Sequence, residues 1–316
     1  MQTVSIIIPT YNRLGWLRRT VDNILEQIRP PDEIIIVNDG STDGTSDYLN
    51  SLSTADRRFI IFHQTQQGRS SARNQGLALA SSTWLLLHDD DDLMPKDSLK
   101  RRLSYLEDHP AVEVLYGNSI MIDDKDHLIN RSPRVARQHP AGNVFAVIAL
   151  ENLAPIHAYL FKRSCLSRAD WFDPKLTVAE DWDFWIRLAT HATFDHLPAV
   201  VAYYRIHPNM SSHAGYEAAC ATVAIQKRAI ALPAFDQLSS SVQFTLLRDV
   251  TLRCLYTGEF EEAASIITQA RQLDSVSVPQ SIMAATIALL ARLMPVTVPA
   301  KWLIVRMILE LIRRYR

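Results

Sequence analysis

The chain of 316 residues is long for a single domain and suits one large domain with an appendage. Its composition is ordinary for a globular protein, with 47% hydrophobic and 21% charged residues, and a formal net charge of -1 gives no field that would attract nucleic acid. Cys165, Cys220 and Cys254 form no CxxC zinc pair, and their odd number argues against a disulfide framework, so we expect buried thiols in a reducing compartment.

The first part of the chain alternates between strands and helices. Continuous apolar runs predict buried strands at 3–8, 34–37, 58–62 and 84–87. Apolar residues with helical spacing lie between these strands. They run from Leu14 to Ile28, from the loop ending at Gly44 to about Leu52, and from Gly68 onward. This alternation predicts an α/β fold with a parallel sheet and helices on both faces. In such sheets ligands bind beyond the carboxyl ends of the strands.

Four consecutive aspartates, Asp89–Asp92, directly follow the fourth predicted strand. Two carboxylates about 4 Å apart repel by about 4 kcal/mol at an effective dielectric near 20. Four at one strand end therefore predict either a bound cation or side chains splayed into water. Hard cations such as Mg²⁺ take oxygen ligands and often keep substrate phosphates in their remaining positions, which favours a metal–diphosphate site. The alternative is an acidic turn or helix start, with Pro95 as the first helical residue.

Shorter helices, strands and loops are predicted after the four aspartates. A helix is predicted around Leu99–Leu106, and strands are predicted at 112–116, 159–161 and 200–205. The acidic Asp123–Asp126 is interpreted as a solvated turn, and the arginine-rich segment 131–142 as a loop beside the site.

A further helix should follow the loop at residue 178. Trp182, Trp185 and Leu188 would form its apolar face, whereas Glu180 and Asp181 stand at its start. Backbone N–H groups favour anions there, so the two carboxylates are either functional or simple caps.

Strand signals are absent after residue 216. Helices are predicted near 217–231, 240–256, 259–272, 280–293 and 299–315, so we divide the chain into a domain at 1–215 and a helical appendage at 216–316. The segment 255–263 resembles one tetratricopeptide-type helix junction, but a single unit is not an array.

The last segment, 299–316, is apolar and basic, with Glu310 as its one acid. It suits a helix in an anionic membrane interface, but also a homo-oligomer contact or packing on the main domain. The start of the chain has no basic region before its first strand, so we expect no signal peptide. The expected location is the cytoplasm, with peripheral contact to the inner face of the membrane as the alternative.

Six segments together match one protein family. They are Val4–Arg13, Ile36–Asp43, Gly68–Gly76, His88–Asp92, Glu180–Asp183 and Tyr203–His207. In these segments the chain resembles the family 2 inverting glycosyltransferases of the bacterial polysaccharide-building kind. The segments occur in the family's order and span roughly residues 3–212. The resemblance implies the GT-A fold, which is Rossmann-like with a mostly parallel sheet, here followed by an α-helical C-terminal region.

The resemblance also implies roles for individual residues. The nucleotide-sugar donor would contact Pro9, Thr10, Tyr11, Asp39, Arg73, Asp89, Asp90, Glu180, Arg205 and His207. Asp39 suits an imide N–H of the base. Asp89 and Asp91 match the metal-binding DxD for Mn²⁺ or Mg²⁺, with Asp90 and Asp92 as the other register. Asp181 matches the catalytic base. His88 stands where the family usually has an aliphatic residue and has no assigned role.

The implied chemistry agrees with the residues. A cation neutralises a diphosphate leaving group, and one carboxylate takes the proton of the acceptor hydroxyl. A glycosidase would instead need two carboxylates that straddle the scissile bond. A nucleotidyltransferase would need a glycine-rich phosphate loop, which Pro9–Arg13 lacks. A non-catalytic scaffold protein would be expected to have lost the acidic residues at the metal or base position, and both are present here. We therefore predict sugar transfer from a nucleoside-diphosphate sugar, expected to be a UDP-sugar, to a glycan or lipid-linked acceptor.

Overall fold

A computed structural model of the chain describes residues 2–129, 140–168, 171–207, 215–270 and 272–273. The chain divides into two compact units, Met1–Ser211 and Ser212–Arg316. The helices predicted at 280–293 and 299–315 lie outside the described residues, as does most of the segment 131–142. Among the described helices, none has both the length and the apolar character that crossing a bilayer requires.

Over its described residues, the first unit contains one sheet of seven strands. They are β1 (Val4–Thr10), β2 (Glu33–Asn38), β3 (Phe59–His63), β4 (Trp84–Leu87), β5 (Val114–Ile122), β6 (Tyr159–Lys162) and β7 (Phe194–Arg205). Their order is β3-β2-β1-β4-β6-β5-β7. Only β6 runs antiparallel to its neighbours, β4 and β5, so the predicted α/β class with a mostly parallel sheet is confirmed.

Two strands are longer than the sequence predicts. β5 continues past residue 116 and β7 begins before residue 200, and the two pair in parallel with register shifts on both sides of Asn118. Polar residues such as Ser119 and Asp195 interrupt the apolar runs there. β7 lies at the sheet edge and tolerates such residues, whereas β5 continues because its backbone pairs with β7, so apolar runs alone could not mark the ends of either strand.

In the described part of the first unit, six α-helices accompany the sheet. They are α1 (Leu14–Leu25), α2 (Thr45–Ala55), α3 (Arg69–Leu79), α4 (Ser98–Asp108), α5 (Phe145–Ile148) and α6 (Glu180–Ala189). The predicted helix start at Pro95 is wrong, because Leu93 exchanges backbone hydrogen bonds of 3.1 and 2.8 Å with Tyr203 of β7. This antiparallel bridge keeps the chain extended and delays α4 to Ser98.

The core explains why the site forms where it does. All seven residues of β1 are buried, and α1 covers the sheet with Leu17, Val21 and Ile24. Fully burying one such side chain contributes roughly 1.5–3 kcal/mol. Because β2, β1 and β4 are parallel neighbours, their carboxyl ends meet at one edge of the sheet. The polar residues that follow these strands are thereby brought together.

The second unit is helical over its described residues. It contains α7 (Gly215–Ile230), α8 (Pro233–Asp236), α9 (Ser240–Thr257) and α10 (Phe260–Ala270). Gly258 has φ 85° and ends α9 in the left-handed conformation, which glycine adopts readily, so the predicted helix junction is present. Cys254 is buried as predicted, whereas Cys220 is only half-buried.

Candidate active site

A cleft of about 260 Å³ lies at the carboxyl edge of β1, β2 and β4. Most of the predicted donor and metal residues line it: Pro9, Thr10, Tyr11, Asp39, Asp89, Asp90, Asp91 and Arg205. Residues that the sequence did not single out also contribute, among them Arg13, Gln66 and Arg69. Residues from five of the six sequence segments therefore line one cavity. Arg73, Glu180, Asp181 and His207 are not among the lining residues and reach the site through the contacts described below.

The four aspartates divide into two groups. Asp89, Asp91 and Asp92 each offer a carboxylate oxygen, and these oxygens lie within 4.8 Å of one another. Asp90 faces elsewhere, because its carboxylate accepts hydrogen bonds from Thr10 Oγ1 at 2.7 Å and Arg13 Nη1 at 3.2 Å. The convergent group thus contains both predicted ligands, Asp89 and Asp91, together with one member of the alternative register.

Among the described residues, Asp91 has two side-chain partners, His207 and Arg13. His207 Nε2 lies 3.0 Å from its carboxylate, and Arg13 forms an ion pair with the same oxygen. On the other side of the cluster, Arg73 donates a 2.7 Å hydrogen bond to Asp89. Arg13 was quoted in the sequence motif but given no role, since a lone arginine after a strand carries no distinguishing pattern.

The pKa values of the aspartates diverge. Burial, reinforced by the charge of Asp91, raises the pKa of Asp90 to about 7 and that of Asp92 well above its ordinary value. Burial would also raise the pKa of Asp89, but the charges of Arg73 and Arg69 outweigh it and lower that pKa. Converging carboxylate oxygens with unfavourable mutual charge are the donor set that a hard divalent cation prefers.

Arg205 holds the aspartate run in place. Its guanidinium is fully buried, 4.4 Å above the ring of Trp16, and Nε donates to the backbone oxygen of Asp91 at 2.6 Å. Its backbone N–H donates to Asp92, and Nη2 reaches Asp126 in the turn predicted to be solvated. The guanidinium is thus occupied by protein partners, and the contact to the diphosphate stays a prediction.

The carboxylate of Asp39 is also hydrogen-bonded to protein groups. Its carboxylate accepts hydrogen bonds from Gln64 Nε2 at 2.7 Å and from the backbone N–H groups of Gln67 and Gly68, both at 2.8 Å. A carboxylate has about four acceptor positions, so about one remains for a ligand. Asp39 therefore anchors the loop 64–68 beside the cleft, and its predicted contact with a base stays a prediction.

Arg73 connects the aspartates to the start of α6. Its guanidinium is buried, with Nη2 on Asp89 and Nη1 on Glu180, each at 2.7 Å. Arg69 lies 3.4 Å from the same Glu180 oxygen. Glu180 and Asp89 therefore share one cation although they are far apart in sequence.

Asp181 follows Glu180 and is partly buried. Its Oδ2 accepts a 3.2 Å hydrogen bond from Asn152. Burial and the adjacent charge of Glu180 raise its pKa to about 6, against the opposing effect of Arg73. The preceding Ala179 has φ 59°, a left-handed conformation that is strained for a residue other than glycine. A carboxylate with this pKa is well suited to accept a proton near neutral pH.

His88 has a partner that the sequence did not indicate. It is fully buried beneath the aspartates, with Nδ1 2.7 Å from the backbone oxygen of Asp89, and its ring lies 5.1 Å from that of His157. His157 Nδ1 in turn lies 3.1 Å from Asp92. Burial lowers the two histidine pKa values to about 3 and about 4, so both rings are neutral.

Comparison with known proteins identifies related sequences. Residues 5–162 match the sequence model of Glycosyl transferase family 2. A PGL/p-HBAD biosynthesis glycosyltransferase of Mycobacterium tuberculosis is 30% identical over 246 residues, which cover 77% of this chain and 89% of that protein. An uncharacterised glycosyltransferase of Rickettsia felis is 29% identical over 203 residues, or 64% of this chain. The matched region spans only 33% of that longer relative.

Solved structures share the fold. TarS of S. aureus, residues 1–349, has a TM-score of 0.60 at 19% identity, and the match covers 92% of this chain and 81% of that one. The mannosyltransferase PcManGT from Pyrobaculum calidifontis, solved with GDP-Man and Mn²⁺, has a TM-score of 0.59 at 22% identity and covers 98% and 84%. The predicted GT-A fold is confirmed by these neighbours.

Proposed function

Since the chain belongs to Glycosyl transferase family 2, we propose that it is an inverting, metal-dependent enzyme that uses a nucleoside-diphosphate sugar. The acceptor is a hydroxyl of a glycan or a lipid-linked molecule. The observation that carries the proposal is Arg73, whose two nitrogens contact Asp89 and Glu180 at 2.7 Å each. This guanidinium places the aspartate cluster beside the carboxylate pair at the start of α6, as one site for transfer requires.

The donor binds in the cleft with its diphosphate toward the aspartates. Asp89, Asp91 and Asp92 provide oxygen ligands that fit Mn²⁺ or Mg²⁺. When bound, the cation neutralises the charge that develops on the leaving diphosphate. Pro9, Thr10, Tyr11 and Asp39 face the nucleoside, in accordance with their positions on the cleft wall.

His207 and Arg205 orient Asp91, one through its carboxylate and the other through its backbone oxygen. Arg13 and Arg69 line the same cleft and can contact phosphate oxygens.

Asp181 acts as the general base. Its pKa of about 6 leaves it ionised at neutral pH and still basic enough to take the proton of the acceptor hydroxyl as that oxygen attacks the sugar. Glu180 is bound to Arg73, which leaves Asp181 as the carboxylate available for this task. A single base with a cation-bound leaving group supports direct displacement with inversion.

The proposed acceptor class is supported by a sequence relative. The mycobacterial relative carries a name from PGL/p-HBAD biosynthesis, which agrees with a role in building a glycosylated product. A membrane contact through 299–316 would fit a lipid-linked acceptor, but this segment lies outside the described residues. Cytoplasmic location, with attachment to the inner face of the membrane, stays part of the proposal.

The test is transfer by purified protein with a panel of UDP- and GDP-sugars, with and without Mn²⁺. We expect metal-dependent donor turnover and a thermal shift with one class of donor. Asp181→Asn should lower turnover about 10²–10⁴-fold while donor binding is retained, because general-base contributions have that size. The control is Asp124→Asn, at an exposed acid in the turn after β5. Near-normal turnover of Asp181→Asn would show that the base is another group.

A further inference from the structure

We propose that Asn152 is a positioning residue that orients the Asp181 carboxylate for proton transfer and that Tyr159 fixes its amide. The inference rests on the proposed function, since it requires Asp181 to be the base. No motif in the sequence pointed to Asn152, which lies 29 residues before Asp181.

Hydrogen bonding determines how the Asn152 amide must face. Its Nδ2 lies 3.2 Å from Asp181 Oδ2, and the Tyr159 hydroxyl donates to its Oδ1 at 3.3 Å. An ionised carboxylate only accepts hydrogen bonds, so the amide nitrogen faces Asp181 and the amide oxygen faces away. A flipped amide would set two acceptors against each other. The Asp181 carboxylate therefore selects the orientation in which Asn152 donates to it, and the Tyr159 hydroxyl stabilises that orientation by donating to Oδ1.

Tyr159 is a rigid support for this contact. It belongs to β6, in the interior of the sheet, and is fully buried. Its ring stacks on Trp185 of α6 with 4.2 Å between centroids and an interplanar angle of 18°. Because α6 also carries Asp181, the helix that presents the base packs on the ring that holds Asn152. The distance between amide and carboxylate is thus set by core packing.

The segment that carries Asn152 is tied to α6 a second time. Trp182 Nε1 donates a 2.6 Å hydrogen bond to the backbone oxygen of Ile148, in the last turn of α5. Trp182 follows Asp181 directly, and Ile148, the last residue of α5, lies shortly before Asn152 in the chain. The segments that carry Asn152 and Asp181 are therefore also held together by this second hydrogen bond.

Charged groups surround Asp181 from several elements. Glu180 precedes it on α6, Arg73 faces it from α3, Asp89 from the end of β4, and the Tyr159 hydroxyl from β6. Burial raises the pKa of Tyr159 well above its ordinary value, so this hydroxyl remains a donor throughout the working pH range. Asn152 is a neutral side chain that donates to Asp181, as the backbone N–H of Trp182 also does. Its hydrogen bond favours the ionised form of Asp181 and restricts the directions its oxygens can face.

The test compares Asn152→Ala, Asn152→Asp and Tyr159→Phe with the unaltered enzyme. We expect Asn152→Ala to lower kcat about 10–100-fold, as small misplacements of a catalytic group do, with unchanged KM for the donor. The acidic limb of kcat/KM should move to higher pH, because the ionised base loses a donor. Asn152→Asp should move the limb further, since it sets a second carboxylate beside the base. Tyr159→Phe should act in the same direction with a smaller effect.

Asn50→Ala, at an exposed position on α2, serves as the matched control and should leave all parameters unchanged. Melting temperatures monitor folding, and Tyr159→Phe keeps the aromatic packing if Asn152→Ala is unstable. Wild-type kcat and pH profile in the folded variants would overturn the inference, as would a raised acceptor KM at unchanged kcat, which would make Asn152 an acceptor ligand. If Asp181→Asn itself retains turnover, the proposed base fails instead, so the two failures are distinguishable.

Discussion

Two groups of carboxylates meet at Arg73 and are neutralised differently. In the run that follows β4, Asp91 faces Arg13 and His207, and Asp89 faces Arg73. In the pair that begins α6, Glu180 takes the same guanidinium and Asp181 faces the amide of Asn152. In the first region, three carboxylates converge on a shared centre. In the second region, Glu180 and Asp181 have different partners.

The difference indicates how adjacent carboxylates acquire distinct tasks. Burial raises the pKa in both regions, to about 7 for Asp90 and about 6 for Asp181. In the run, three further carboxylate oxygens converge within 4.8 Å, so a bound cation would relieve their repulsion. Among the described residues Asp181 belongs to no such group, which suits its proposed role as a proton acceptor. The arrangement of counter-charges, more than the number of acids, would separate the two proposed functions.

The largest effect should come from Asp91→Ala, which breaks the first region. The variant removes one of three converging ligands and the partner of Arg13 and His207. We expect Mn²⁺-dependent UDP binding and transfer to fall by about 10²-fold or more, since metal stabilisation of charge is worth several kcal/mol. Calorimetric titration with UDP and Mn²⁺ measures this, with Asp124→Ala as the exposed control. Unchanged titration would contradict the metal role of the run.

Arg73→Met should break the link between the regions. It would leave Asp89 and Glu180 without their shared buried cation, and breaking a buried ion pair typically costs about 3–5 kcal/mol. The free energy of unfolding, from denaturant titration, should fall by that amount. Arg58→Met, which removes a more exposed pair with Asp56, should cost less than about 1 kcal/mol. Equal losses for the two variants would refute the structural importance of Arg73.

The pH dependence should sharpen the second region. A base must be ionised, so kcat/KM should decline as pH falls through the Asp181 pKa of about 6. Glu180→Gln removes the adjacent negative charge that helps to raise this pKa, so the acidic limb should move down by about one unit. Glu217→Gln, exposed on α7, should leave it in place. A shift to higher pH would mean that Glu180 does not act through its charge.

The smallest effect concerns the backbone before Asp181. Ala179 has φ 59°, so Ala179→Gly should relieve strain and raise stability by up to about 1 kcal/mol. Ala78→Gly, at an exposed position with ordinary helical geometry in α3, should lower it by about 0.5–1 kcal/mol. Thermal melting of both variants measures the difference. The same sign for both would show that the left-handed conformation stores no strain.

The local sequence was sufficient to predict the central strands and the acidic motifs. β1, β2 and β4 are continuous apolar runs because both faces of the sheet are covered, and the acids follow such a strand or begin an amphipathic helix. It was insufficient for the full lengths of β5 and of the edge strand β7 and for the start of α4, where pairing with a distant strand overrides local preference.

The sequence by itself determined the order of strands and helices, the carboxyl edge where polar residues gather, and the family to which the motifs point. Only the tertiary structure decided which acids converge, which cations pair with them, and that Asn152 and His157 contact Asp181 and Asp92, respectively. The reason is physical: hydrogen bonds and ion pairs act over about 3–4 Å. Partners such as Arg73 and Glu180, 107 residues apart, reach that distance only when the core packs.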